Sequence, residues 1–340
     1  MACGSPVMPE LLDLHPAPAD MRALVIEGLS RSPKQLPAWF LYDAEGSRLF
    51  ELICQQPEYT LTATETALLE HQAPAIAKAL GRGTLVEFGA GSARKVAPLL
   101  RALSDQAYVA LDISAAHLAP ACEELQRRHP HLPVLGICCD YTALGALPSH
   151  PLLAGRRRVG FYPGSSIGNF EPAEARAMLA RFRRLLGPDS ALLVGVDHPK
   201  AVERLEAAYD DAAGVSAAFA LNLLQRLNRD LGGTFQPEAF RYRARWEPGP
   251  SRVTMELVSL RPQTVTLAGS CWSFAAGEPL VSEHSVKYSP EAFTALAEGA
   301  GWRTTASWSD PRGDLSLRLL VPGATAQADS GRPPEGEGPP

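Results

Sequence analysis

The sequence predicts an α/β protein, a doubly wound parallel sheet carrying a second, smaller α+β domain. Three observations predict it. Between residues 84 and 196 short apolar strands alternate with helices, the pattern of a parallel sheet buried on both faces by right-handed crossovers. The first strand ends in a glycine turn, Gly89-Ala90-Gly91, that opens a helix. After Asp197 the rhythm changes to a long helical stretch and then to segments of alternating polarity, which read as an antiparallel sheet with one wet face.

Taken in order, residues 1–10 and 323–340 are rich in Pro, Gly and small polar residues and are expected to be disordered. Residues 21–27 read as a helix, broken by Pro33 and Pro37, and residues 38–53 as a turn leading into an amphipathic helix. Thr62-Ala63-Thr64-Glu65 has the form of a capping box, so a helix is expected from there to about Leu80. Strands follow at 84–88, 108–111, 133–138, 159–162 and 192–196, with helices at 95–103, 118–128 and 173–186. Residues 200–230 form one Ala- and Leu-rich helical stretch that holds Gly214. RYRARW, RVTMELVSL, TVTLAG and LVSEHSVKY supply the inserted strands. A helix at 290–300 and the runs WRTTASW and LSLRLLV close the first domain. The expected division is residues 11–62 with 200–287 as the smaller, substrate-binding unit and 63–199 with 288–322 as the cofactor-binding unit.

The net charge of −5 supplies no basic field for nucleic acid or an anionic membrane. The basic clusters Arg156 to Arg158 and Arg181, Arg183 and Arg184 read as a solvated loop and helix face rather than a phosphate site. Six cysteines without CxxC spacing read as buried thiols in a reducing compartment. The N-terminus lacks a signal-peptide pattern, and no apolar run reaches membrane-spanning length. A cytoplasmic monomer is expected. The histidines, including His129, His131, His150 and His198, show no metal spacing, so no metal is expected.

The cofactor signal is VEFGAGSARK (86–95). A nicotinamide fingerprint needs a third glycine where this chain has Arg94, and a lone GxG is weak. Two acids strengthen it. Asp112 ends the second strand, placed for both hydroxyls of a ribose, and Asp140, followed by Tyr141, ends the third, placed for an adenine amino group. With no phosphate-binding Lys-Ser or Lys-Thr pair, the set favours an adenosyl ligand lacking phosphate, and S-adenosylmethionine fits. Taken singly, Gly89 and Gly91 read equally well as a tight turn, and Asp112 as a helix cap.

Several segments in the same order then resemble the histidine Nα-methyltransferases of ergothioneine biosynthesis, from about Arg31 to Val321. They are PEYTLTATE (57–65), VEFGAGSARK, FYPGSSIGNF (161–170), AYDDAAGVSAAF (208–219), TMELVS around Met255, and SEHSVKYSPE (282–291). The resemblance implies a seven-stranded methyltransferase sheet with the substrate between it and the second domain. It implies that Gly89, Gly91, Lys95, Asp112, Asp140 and Tyr141 contact the cofactor, with Gly164 in the turn beside its methionine part. It implies that Asn169 and Tyr209 hold the histidine carboxylate, that Tyr42 faces the α-amino group, and that Tyr59, Glu283 and Ser285 read the imidazole beside Met255. The implied reaction is three successive methylations of L-histidine to the trimethylated betaine, hercynine. Ala93 and Val96 stand where the family more often has hydroxyl residues, which puts cofactor affinity in doubt; the amino-acid pocket shows no departure.

Alternation in LVSEHSVKY puts Glu283, Ser285 and Lys287 on one strand face and His284, read as structural, on the other. A carboxylate and a hydroxyl match the N–H donor and the ring-nitrogen acceptor of an imidazole. The competing reading pairs Glu283 with Lys287 on a wet face. Tyr209 reads equally as a helix-face aromatic. Two other functions are carried forward: methylation of another aromatic amino acid or small amine, and a non-catalytic S-adenosylmethionine-binding regulator.

Overall fold

The structure is a computed structural model that describes residues 9–14, 20–91, 93–103 and 106–323. The chain begins with β1 (Glu10–Asp13), α1 (Met21–Ser30), β2 (Lys34–Gln35), α2 (Ala44–Ile53) and α3 (Leu61–Leu80). The alternating part runs β3 (Thr84–Phe88), α4 (Ala97–Ala102), β4 (Ala107–Asp112), α5 (Ala115–Arg128), β5 (Val134–Cys138), β6 (Arg158–Tyr162), α6 (Pro172–Leu186) and β7 (Ala191–Asp197). Then come α7 (Val202–Tyr209), α8 (Val215–Leu231), β8 (Phe240–Glu247), β9 (Arg252–Ser259), β10 (Gln263–Leu267), β11 (Ser270–Phe274) and β12 (Pro279–Val286). The described chain closes with α9 (Pro290–Gly299), β13 (Trp302–Ser309) and β14 (Leu315–Pro322).

The large sheet has the order β1-β5-β4-β3-β6-β7-β14-β13, parallel through β7 and antiparallel at β14 and β13. Strands β3, β5 and β7 are buried at every residue, as crossover helices on both faces require. The sheet therefore has eight strands rather than seven. The extra one, β1, pairs in parallel with β5, and Gly136 makes room for it, since a Cβ there would meet the Leu11 side chain at 2.5 Å. Residues 11–13 thus lie in the large sheet, not in the smaller unit, and Glu10 is strand rather than disordered. At the other end Gly323 donates its N–H to the Gly301 carbonyl at 2.9 Å, so it too is ordered. Residues 1–8 and 324–340 lie outside the described residues.

A separate four-stranded sheet, β2-β12-β9-β8, joins the early strand β2 to three strands that follow the α7–α8 pair, and the β10–β11 hairpin lies between β9 and β12 in the chain. The expected wet face is present on the β10–β11 hairpin, where Thr264, Thr266, Cys271 and Ser273 are exposed, but not on β9 and β12. Every residue of β9 after Arg252 and of β12 after Pro279 is buried. Leu205, Ala244, Val253 and Met255 pack together on the α7 side. The opposite side is polar but covered: Glu256 accepts from Arg243 and Arg245, and His284 pairs with Thr254 at 3.1 Å, the structural place expected of it.

The long helical stretch is two helices. Asp211 accepts from the backbone N–H groups of Val215 and Ser216 at 2.9 and 2.7 Å, and Gly214 takes a left-handed φ of +74°, so α8 starts afresh and Tyr209 ends α7. Nor does Glu65 cap α3. It is fully buried and turned away from the helix start, for a reason that lies at the site.

Candidate active site

One half of the candidate site, with the residues expected to hold the cofactor, lies at the carboxyl edge of the large sheet. The N–H groups of Gly89 and Ala90 donate to the Leu111 carbonyl at 2.9 and 3.0 Å, tying the glycine turn to the end of β4. Gly89 has a φ of +74°, and a Cβ there would sit 3.3 Å from the Tyr141 hydroxyl, so glycine is needed on both counts. Asp112 accepts from Gly91 N–H at 2.8 Å and Ser114 N–H at 3.0 Å through different oxygens. Each oxygen keeps a further lone pair for a hydroxyl. Asp140 takes the Thr142 N–H and hydroxyl on one oxygen only, at 2.8 and 2.6 Å. Tyr141 stands edge-on to Phe88 with centroids 5.9 Å apart.

Lys95 reaches the same region, and Glu65 explains how. The Glu65 carboxylate accepts the Gly164 N–H at 2.7 and 2.9 Å and pairs with the Lys95 ammonium at 3.0 Å. One buried carboxylate from α3 therefore joins the glycine-loop lysine to the turn after β6. Gly164 takes a left-handed φ of +81°, which favours glycine, and an added Cβ would crowd the Lys95 ammonium at 2.9 Å. Lys95 has two further N–H groups for an anionic ligand group. Beside Gly91 an added Cβ would meet nothing within 4 Å. Open space bordered by two carboxylates with free lone pairs and by a half-exposed lysine fits an adenosyl ligand that ends in an amino acid.

The second half faces it. Tyr42 follows a 3₁₀ turn (Ala38–Leu41), and its ring lies edge-on to Phe50 and Phe219 at 5.5 and 5.3 Å. Tyr59 stands edge-on to Tyr209 at 5.9 Å. Burial, with the Glu283 charge adding to it, holds the Tyr42 and Tyr59 hydroxyls far above the ordinary tyrosine range, so both stay protonated. Tyr42 also feels Tyr141, which belongs to that first half. Glu283 is 9% exposed, and burial pushes its carboxyl up to about 7, against the pull of Lys287. Its side chain accepts no hydrogen bond from any described residue. Met255 is its cross-strand partner on β9.

Lys287 does not pair with Glu283. Its ammonium donates to Asp197 at 2.7 Å, to the Tyr209 hydroxyl at 2.7 Å and to the Ser285 hydroxyl at 2.9 Å, while those two hydroxyls lie 2.8 Å apart. Tyr209 is therefore more than a helix-face aromatic. Sequence reasoning passed over Glu65, Asp197 and Lys287, although Asp197 ends a strand at the sheet's carboxyl edge and Lys287 shares the Glu283 face. Asn169 is exposed at the end of a 3₁₀ turn (Ser166–Asn169) at the same edge, with no side-chain bond to a described residue. A cleft of about 310 Å³ borders Tyr59, Asp197, Lys200 and Tyr209 but does not reach the glycine turn.

A family model described as histidine-specific, S-adenosylmethionine-dependent methyltransferase matches residues 21–322. The chain belongs to that family. Among curated relatives of this methyltransferase, histidine N-alpha-methyltransferase of Mycolicibacterium smegmatis is 39% identical over 88% of this chain and 94% of its own. The Mycobacterium tuberculosis protein of the same name is 34% identical over the same shares. The solved 1,6-didemethyltoxoflavin-N1-methyltransferase of Burkholderia thailandensis aligns with 82% of the chain and 89% of its own at 13% identity and a TM-score of 0.42. No described helix of this methyltransferase is long and apolar enough to cross a membrane.

Proposed function

We propose that this methyltransferase transfers three methyl groups in succession to the α-amino nitrogen of L-histidine, giving hercynine, a step towards ergothioneine, and that it works in the cytoplasm. The observation that carries the histidine assignment is Glu283: a buried carboxylate with no hydrogen-bond partner among the described residues, two residues from the Ser285 hydroxyl on the same strand face. Left empty, such a group is costly to bury; an imidazole N–H satisfies it, and an apolar side chain does not. Its close relatives named as histidine N-alpha-methyltransferases support the same reading.

S-adenosylmethionine, when bound, supplies an electrophilic methyl group on a sulfonium. Gly89, Gly91, Lys95, Asp112, Asp140, Tyr141 and Gly164 would hold it. The other residues must hold a neutral amine in line with that methyl group. Asn169 would donate its amide to the substrate carboxylate, beside Tyr209. Tyr59, Glu283 and Ser285 would fix the ring, with Met255 as wall. The Tyr42 hydroxyl, protonated throughout, would accept an amine N–H while one is present. As methyls replace those N–H groups, the Tyr42, Phe50 and Phe219 rings offer faces on which a quaternary ammonium is stable. Positioning then supplies most of the acceleration, of which well-oriented neighbours are capable of on the order of 7–11 kcal/mol.

The test is to incubate the pure protein with S-adenosylmethionine and each amino acid singly and follow mass gains in methyl increments. Three increments on histidine alone support the reading. Gains on another amino acid reassign the acceptor, and binding of S-adenosylmethionine without any turnover points to a regulator.

A further inference from the structure

Lys287 is fully buried and spends all three of its N–H bonds inside the protein, on Asp197, Tyr209 and Ser285. An ammonium has three donors and no acceptor, so nothing is left for a ligand. The second oxygen of Asp197 takes Lys200 at 2.6 Å, and two cations hold the Asp197 carboxyl below the ordinary range, so the bridge is ionic.

Each hydroxyl oxygen has one proton and two lone pairs, and Lys287 occupies one lone pair on each. The oxygens are 2.8 Å apart, so one of the two protons lies between them and consumes one more lone pair. One proton and one lone pair remain to face the cavity, and they sit on different oxygens. Whichever hydroxyl accepts the mutual bond shows its proton outward; whichever donates shows a lone pair. A phenol O–H is the stronger donor of the two kinds. Lys287 strengthens it further, both by donating to the phenol oxygen and by lying 4.7 Å over the Tyr209 ring.

We propose that Lys287 is a positioning residue: it sets Tyr209 to donate to Ser285, so that Ser285 offers a proton to the ring and the pocket takes histidine as the neutral imidazole, in one tautomer. The inference rests on the histidine reading given above. The ring's N–H goes to Glu283 and its bare nitrogen to Ser285. An imidazolium would aim a second N–H at an oxygen that already accepts from an ammonium 2.9 Å behind it, a like-charge contact in a buried site. The charges facing the ring site are Glu283, Lys287 and Asp197, the last also bound by Lys200. The phenols of Tyr42, Tyr59 and Tyr242, which also face Glu283, are held neutral by burial. It follows that Tyr209 shows the cavity a lone pair, and that the donor to the substrate carboxylate is Asn169.

The test is ring-¹⁵N-labelled L-histidine bound to the whole protein with S-adenosylhomocysteine, observed by NMR at about pH 6 and about pH 8, either side of the free imidazole pKa. The expected spectrum has one protonated and one bare ring nitrogen at both pH values. Two protonated nitrogens at about pH 6 overturn the inference while leaving histidine as substrate. No binding of histidine overturns the parent reading and this one together. In the variant Lys287→Met, which removes the bridge while Asp197 stays paired with Lys200, the ring should follow solution and protonate at about pH 6. There the KM for histidine should rise about 10- to 100-fold with a smaller change in kcat. Ser285→Ala, which leaves the bridge intact, should also lose the fixed ring state. A ring that stays neutral at about pH 6 in either variant shows that Lys287 does not set it.

Discussion

Replacing Glu283 by Gln separates binding from stability, because the two should move in opposite directions. Free in an unfolded chain the carboxyl ionises in the ordinary range; in the folded protein it keeps its proton to about pH 7. The folded state therefore binds more protons between those values. Stability from this group is fully present below the unfolded pKa and lost as pH rises through about 7. The displacement corresponds to on the order of 3 kcal/mol at most, incurred by the substrate-free protein at about pH 8. E283Q carries no such penalty. Urea unfolding of the two proteins should give similar midpoints at about pH 5 and a higher midpoint for E283Q at about pH 8. Histidine binding should weaken by the worth of a charge-assisted hydrogen bond, about 1.5–3 kcal/mol, or roughly 10- to 150-fold in KM. In the wild type that KM should fall as pH rises through about 7, once the amine's own titration is divided out, and E283Q should lack the step. An E283Q protein that is less stable than wild type at both pH values, with an unchanged KM, would mean that the carboxylate is structural.

Further outcomes follow from the same geometry. Glu65→Gln breaks the charged link between Lys95 and the Gly164 turn, so the KM for S-adenosylmethionine should rise about tenfold while that for histidine moves little; equal changes in both would deny Glu65 a cofactor-side role. Asp112→Ala removes the acceptor of the Gly91 N–H together with the expected ribose contact, and isothermal titration should show cofactor affinity down by about 10- to 100-fold. Tyr42→Phe keeps the ring and removes the hydroxyl, so single-turnover mass spectrometry should show the first methylation slowed more than the third. Three unchanged rates would remove Tyr42 from the amine site.

The alternating core was legible because a buried parallel strand leaves a short apolar run between helices, and 84–88 matches β3 residue for residue. β1 was not, because three of its four residues are exposed and its partner, β5, lies far along the chain. The wet face was right for the β10–β11 hairpin but misjudged for β9 and β12, where Thr254, Glu256, Ser282 and His284 are polar yet covered, because alternation reports polarity rather than burial. Glu65 misled for a similar reason: Thr-x-x-Glu is a local pattern, and a lysine thirty residues away outcompeted the helix end for its carboxylate. The Glu283–Ser285 pair was readable from strand periodicity alone. The part of the site that fixes those groups was not, since the Lys287 bridge joins segments 76 to 90 residues apart.

The most direct measurement is a crystal structure with L-histidine and S-adenosylhomocysteine bound together. One ring nitrogen should lie within hydrogen-bond distance of the Glu283 carboxylate, the other within reach of the Ser285 hydroxyl, and the α-amino nitrogen should point at the cofactor sulfur near Tyr42. A histidine whose ring lies elsewhere, with Glu283 facing only water, would contradict the histidine assignment.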